Sequence, residues 1–378
     1  MLLGNSVSRG PILVLLVLIA GFVGGCNKPV AKFEQAELPS DEQLRDRIDR
    51  AIEFTYNNRH LNTKDQAGWQ IVHGALVYGR DFQIYHDGKL VSALDYLLGG
   101  GELRGWTMRK GDHGLEALLE AGSKTGQGHE DQWLGYLSQC GLPIAQPIVV
   151  AGQNYTIKDL ITQAQWDIYD GMEATWTLMA FSTYLPLDAE WTAKDGTKWN
   201  IERMVRMESE QDLDNSACGG THRMYGIAVA RNRFLAEGGK LTEGADGAWE
   251  KADKKIKNAV AACKEYQQPD GSFSTNYFAR PGTSADIASR ISTTGHALEF
   301  LTLALGDEEL EQPWVTRAVT HLVGCFEKTQ KFDLECGALY HAAHGLDLYR
   351  ARRFGPRAPI TPSEPAAPAA DEASTAGQ

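Results

Sequence analysis

The chain has little positive charge. It carries 37 Lys and Arg against 49 Asp and Glu, a net charge of −12, and no basic run occurs in it. Nucleic acid is therefore not an expected partner. Cysteine is also scarce, six in 378 residues, one of them near the N-terminus. The other five are Cys140, Cys218, Cys263, Cys325 and Cys336, with no short CxxC pair among them. That excludes a zinc ribbon and a regular disulfide framework. One or two disulfides remain open for an exported chain, Cys325 and Cys336 being the nearest in sequence, and buried free thiols are the alternative. Strand-type alternation is rare, so the fold class read from the pattern is all-α. Long apolar runs are missing except for PILVLLVLIAGFV, Pro11 to Val23. It is too short and too broken by glycine for a comfortable membrane span.

What is present begins with that run. Arg9 precedes it, and Val23-Gly24-Gly25-Cys26 follows. Small residues ending in cysteine resemble the lipobox of bacterial lipoproteins. The resemblance implies a signal peptide over 1–26, acylation of Cys26, and a membrane-lipid partner through that residue. It also implies a cell-envelope location on the exported, periplasmic side. The alternative is an ordinary secretory signal with an incidental cysteine. Residues 27–40 read as a tether and 41–355 as the folded domain. The tail 356–378, PRAPITPSEPAAPAADEASTAGQ, is rich in proline and alanine and reads as disordered.

Between the ends the chain repeats. His113-Gly-Leu-Glu116, His296-Ala-Leu-Glu299 and His344-Gly-Leu-Asp347 each open an apolar run. Looser copies are His73-Gly-Ala-Leu76, Asp170-Gly-Met-Glu173 and His222-Arg-Met-Tyr225. Charged helical segments precede the six, starting near Asp41, Leu90, Glu130, Trp199, Trp249 and Pro313. A helix that is apolar all round is buried, and an amphipathic one faces solvent. Six inner and six outer helices would make an (α/α)6 toroid, with the six tetrapeptides opening the inner helices.

A second element recurs where an outer helix ends. It is clearest at Gln268, Gly271 and Phe273, fair at Gln66, Gly68 and Trp69, and partial at Gly105-Trp106. The glycine suits a left-handed turn, and the glutamine amide can satisfy groups at a helix end. This resembles the repeats of the terpenoid cyclase and protein prenyltransferase superfamily and implies its α/α-toroid fold over most of the domain. The motifs of its enzymes are not matched. Asp212-Leu-Asp214-Asn215 ends in Asn where the cyclase D-x-D-D motif ends in Asp, and no Asp lies two residues before a Cys.

Five of the ten histidines fall in the repeated slot, and Asp170 fills the sixth. The ring so formed reads either as acid/base or metal-binding groups or as structural anchors. Asp212, Asp214, Cys218 and His222 crowd into one short segment with two glycines. His222, His296, Asp214 and Asp212 are the expected catalytic groups, with His222, His296 and one of the aspartates in a common pocket. His113, Asp170, His344, Tyr277, Arg280 and Cys218 are the expected binding groups, Tyr277 and Arg280 lying on a long covering loop. The cofactor is open. No metal is assigned, although a zinc site of Cys218, His222 and His296 is conceivable. Two functions follow. One is an envelope enzyme acting on a lipid-like or saccharide ligand. The other is a non-catalytic binding or scaffold lipoprotein.

Overall fold

The computed structural model describes residues 37–360. Cys26, the signal segment, most of the tether and the end of the tail lie outside the described residues. Helix α1 (Asp41–Asn58) follows Ser40, whose hydroxyl accepts from the Gln43 backbone N–H while the Gln43 side chain accepts from the Ser40 N–H. This reciprocal cap satisfies two orphan donors. Leu44, Ile48 and Ile52, four apart, form its buried stripe.

The described residues are mostly helical with eight short strands, compatible with an all-α class. After α1 come α2 (Gly68–Tyr78), the hairpin β1 (Gln83–His86) and β2 (Lys89–Ser92), and α3 (Ala93–Leu98). Next are β3 (Met108–Lys110), β4 (Leu115–Ala117), α4 (Gln132–Gln139), β5 (Pro147–Val150), β6 (Gln153–Thr156) and α5 (Ile157–Asp167). Then follow α6 (Thr175–Tyr184), β7 (Glu190–Thr192), β8 (Lys198–Asn200), α7 (Ile201–Glu210) and α8 (Thr221–Ala236). The last elements are α9 (Ala248–Glu265), α10 (Ile287–Ala304), α11 (Asp307–Leu310), α12 (Pro313–Lys328) and α13 (Cys336–Phe354). Each strand pairs antiparallel with the next in an isolated hairpin. Asp87 (φ 48°) and Gly88 (φ 76°) turn the first, the left-handed pair such a tight turn needs.

Helix contacts run in a cycle. α2 packs on α4, α4 on α6, α6 on α8, α8 on α10, α10 on α13, and α13 returns to α2. Around them α1 packs on α12 and α13, and α7 and α9 pack together. Glycine sets the tightest crossing. A Cβ on Gly295 of α10 would sit 2.5 Å from the Ala342 Cα of α13, so the two backbones touch.

The glutamine-glycine-aromatic turn has a clear physical role. Gly271 is left-handed (φ 92°), and the Gln268 amide donates to Tyr266 O at 2.8 Å, at the end of α9. Gln267 ties the turn to Trp314 O at 2.7 Å, and Phe273 is buried edge-on to the Trp314 ring.

The tetrapeptide register needs correction. His113-Gly-Leu-Glu116 lies in the β3–β4 hairpin, because Gly111 and Gly114 close a turn there, with Gly111 N–H donating to Gly114 O at 2.9 Å. Asp170-Gly-Met-Glu173 is the turn before α6. His73, His296 and His344 lie well inside their helices, and only His222 stands at a helix start. The segment near Leu90 is strand β2, and the one near Glu130 leads into α4, a member of the cycle. The stretch around Gln146 to Thr156 is the β5–β6 hairpin. All five cysteines of the described residues are free. No helix among the described residues is long and apolar enough to cross a membrane.

Candidate functional site: an imidazole-lined cavity

A cavity of about 200 Å³ opens where the six helices of the cycle converge, and each contributes to its lining. Three supply pairs of side chains four residues apart: Trp69 and His73 on α2, Gln132 and Tyr136 on α4, and Ser292 and His296 on α10. Residues at i and i+4 share one helix face, so each of these pairs projects together. α8 adds His222, with Cys218 from the left-handed segment just before it, and α13 adds His341. α6 adds Trp176, and the loop before α4 adds Ser123, Lys124 and His129.

Four imidazoles touch in the centre. Ring centroids lie 4.9 Å apart for His73 and His341, 4.1 Å for His296 and His341, 4.9 Å for His222 and His341, and 5.1 Å for His222 and His296. Three of the rings are anchored through Nδ1. His73 donates to Trp69 O at 2.5 Å and His296 to Ser292 O at 2.7 Å, each one helical turn back. His341 donates to Glu299, 2.9 Å from Oε2. An anchored Nδ1–H leaves Nε2 as the lone-pair nitrogen. That of His73 accepts from the Tyr136 hydroxyl at 3.2 Å. That of His296, buried, has no well-aligned hydrogen-bond partner.

A supporting layer fixes these groups. Glu299, buried, also accepts from His344 Nδ1 at 2.7 Å. His129 stacks on Trp176, centroids 4.5 Å apart, and its Nδ1 lies 2.8 Å from Glu173. Buried Glu208 accepts from Ala174 N–H and the Thr175 hydroxyl, and lies 3.3 Å from Arg223. Arg223 Nε in turn donates to Ser216 Oγ at 3.0 Å, holding the loop that carries Cys218.

Burial sets the electrostatics. It lowers His73 to about 4, against the help of the Trp69 carbonyl. It lowers His222 well below the usual imidazole range, with the neighbouring His341 and His296 adding to the effect. His341 is lowered likewise, by burial first and then by His296 and His73. For His296 burial also opposes charge, but the Cys218 charge, a loose hydrogen bond to the same thiol, and Glu299 outweigh it and raise His296 to about 9.

Cys218 Sγ and a nitrogen of each of His222 and His296 all lie within 4.8 Å of one another. These are the described residues with the donor set for a soft divalent metal.

Of the residues singled out from sequence, His222, His296 and Cys218 meet in this cavity. Tyr277 borders it: its ring lies against Gly219 and 6.5 Å from His296, edge-on. Asp212 and Asp214 do not line it. They are exposed in a turn where Asp214 N–H donates to Asp212 Oδ1 at 3.2 Å, because the chain bends outward after α7 and returns only at Ser216. Asp170 is exposed and paired with Arg203 at 2.7 Å. His113 stacks on Trp166 at 3.8 Å, away from the cavity. Arg280 is exposed, with its carbonyl taken by Ser274 Oγ at 2.6 Å. His344 stands behind Glu299, and His341, one turn earlier, faces the cavity in its place. Tyr136, His129 and Trp176 were not singled out from sequence, and Trp69 and Glu299 were named there only for the turn and the tetrapeptide. The signal for two of them was available in the Gln132–Tyr136 and Trp69–His73 spacing, which matches Cys218–His222.

Comparison with known protein families, with curated proteins and with solved structures returns no match.

Proposed function

We propose that the cycle of helices is an (α/α)6 toroid and that its imidazole-lined cavity is the active centre of an envelope enzyme. The chain would be held at a membrane by lipid on Cys26, and the cavity would take a small saccharide or lipid-like group, about the size of one sugar ring. The likeness of its Gln-Gly-aromatic turns to terpenoid cyclase and prenyltransferase repeats supports the toroid. The single observation that carries the enzyme reading is convergence. Six separate helices and the loops beside them deliver reactive or aromatic groups to one cavity, and carboxylates hold two of its rings, His341 and His129, in place. Packing alone does not call for an imidazole held by a buried glutamate, as His341 is held by Glu299. The reactive groups are His222, His296, His341 and Cys218. Glu299 and Glu173 are the orienting carboxylates, a role that Asp212 and Asp214 are too exposed to fill.

A scaffold lipoprotein is the second reading. It draws on the bonds from His73 and His296 to carbonyls of their own helices, which a purely structural imidazole would also make. A thermal-shift screen of the full chain with monosaccharides, uronic acids and short isoprenoid alcohols separates the two. The enzyme reading expects at least one ligand to raise the melting temperature, and His341→Gln to abolish that shift while folding normally. No shift from any ligand, or an equal shift in His341→Gln, supports the scaffold.

A further inference from the structure

We propose that Cys218, His222 and His296 form a zinc-binding site at the wall of this cavity. The inference goes beyond the proposed activity and stands without it.

Four observations lead there. The first is proximity, the three donor atoms lying within 4.8 Å of one another. A tetrahedral zinc with bonds of about 2.0–2.3 Å sets its ligands roughly 3.5 Å apart, so modest rotation of the side chains closes the site. The second is an unused donor. His296 is 3% exposed, and its Nε2 has no well-aligned hydrogen-bond partner, only a loose approach to the Cys218 thiol. Unlike the unpaired indole nitrogens of Trp133 and Trp199, which can only donate, an imidazole nitrogen can also ligate a metal. The third is the outer layer. His296 donates Nδ1–H to Ser292 O, the bond that usually fixes a metal-bound imidazole in the right tautomer.

The fourth is the backbone that delivers the thiol. Cys218, Gly219 and Gly220 are all left-handed, with φ of 49°, 61° and 83°. Three such residues in a row coil the chain under the start of α8 and place Cys218 four residues before His222. A side chain at Gly219 would strike the Tyr277 ring, with a Cβ 2.2 Å from its Cδ2. The strap from Glu208 through Arg223 to Ser216 holds the coil from the other side. A strained cysteine kept in place by an ion pair and an aromatic lid needs a reason, and a bond from sulfur supplies one.

The donor chemistry narrows the ion. One thiolate and two imidazoles suit zinc or copper and disfavour magnesium or calcium, which prefer oxygen donors; the tetrahedral, redox-silent ion of this class is zinc. Three protein ligands leave the fourth position facing the cavity, the arrangement of a reactive rather than a closed structural zinc site. His341 lies beside that position, its ring 4.1 Å from His296. When bound, zinc would act there as a Lewis acid toward whatever oxygen enters the cavity.

The test uses the full chain, stripped by chelator, kept reduced and titrated with zinc against a chromophoric competitor. Cobalt(II) serves as the spectroscopic probe. The expected result is one equivalent bound, with a thiolate-to-cobalt charge-transfer band. Cys218→Ser loses the band and weakens zinc binding about 100-fold or more; His296→Gln and His222→Gln weaken it comparably. Cys336→Ser, a thiol outside the cluster, changes neither. Cys218 lies on an exposed loop, so its serine variant folds, which circular dichroism checks. Zinc should also protect Cys218 from alkylation in the wild type. A folded wild type that binds no zinc, or binds it equally well as Cys218→Ser and as His296→Gln, overturns the site. Either result leaves the His341 ligand test of the enzyme reading untouched.

Discussion

Two cavities in this molecule invite the same first glance. The second, of about 250 Å³, lies between strand β4 and helices α4 and α5, lined by Glu116, Glu130, Asp131, Asp167 and Lys194 among others. It is larger than the imidazole cavity and more heavily charged. Yet several of its charges are already spoken for. Asp167 takes Lys194 at 3.1 Å and the Gln163 amide at 2.7 Å, Glu116 takes Arg109 at 2.7 Å, and Asp131 accepts from Thr177 at 2.6 Å. In the imidazole cavity His296 and His341 are anchored from behind, and the front nitrogen of His296 is left without a well-aligned partner. Size and charge therefore mark a site less well than a buried donor with its back secured and its face unpaired.

The contrast can be broken hardest at its foundation. The imidazole cavity depends on α10 and α13 touching at Gly295. Gly295→Val drives a branched side chain into the Ala342 backbone and should cost roughly 3 kcal/mol, read as a drop in denaturant midpoint. A loss under about 1 kcal/mol would show that the contact can relax.

The supporting carboxylates sharpen it next. Glu299→Gln leaves at least one of His341 and His344 without a proper acceptor in a buried setting, and should cost about 2 kcal/mol. The matching change in the other cavity, Asp167→Asn, disturbs a more exposed pair and should cost under about 1 kcal/mol. Equal losses would erase the distinction between the two regions.

Acidity offers a smaller test. Burial raises the Asp131 carboxyl to about 7; the Thr177 hydroxyl opposes this, and the charges of Glu130 and Asp167 add to it. The folded state therefore holds this proton more tightly than the unfolded chain. Its contribution is fully present below about pH 4 and is lost as pH rises toward 7. Asp131→Asn keeps an acceptor for Thr177 and suits the left-handed backbone there (φ 53°). It should be the more stable protein at pH 8, by roughly 1 kcal/mol, with little difference at pH 4. A wild type whose stability relative to Asp131→Asn does not fall between pH 4 and 8 would refute this assignment.

The smallest expected effect belongs to the aspartates of the turn. Asp212→Asn and Asp214→Asn should each leave stability within about 0.5 kcal/mol and zinc affinity unchanged, because both side chains face solvent. A tenfold loss of zinc affinity in either would bring that turn back into the site.

How much of this was legible in the residues varies by element. The meeting of His222 and His296 was, because the two fall in the same repeated slot of neighbouring helices, and Cys218 comes with His222 as its near neighbour in sequence. The helix-ending turn at Gln268 was legible too, since glycine and proline chemistry is local. The failures have one cause, which is register. A four-residue resemblance at His113 and Asp170 carried no information about flanking turns, and those turns put the one in a hairpin and the other before a helix. On α13, His341 and His344 are three apart and share a face, so sequence alone does not say which meets the cavity and which meets Glu299. Gln132 and Tyr136 of α4, and His129 just before it, escaped because that short helix reads as an outer one. The exposure of Asp212 and Asp214 depends on where the chain leaves α7, which spacing does not encode.

If the imidazole cavity holds zinc through one sulfur and two nitrogens, X-ray absorption at the zinc edge of the zinc-loaded full chain will show it. One sulfur at about 2.3 Å and two or three nitrogen or oxygen neighbours at about 2.0–2.1 Å are expected, with outer-shell scattering from imidazole rings. A first shell of oxygen and nitrogen alone, with no sulfur, would contradict it.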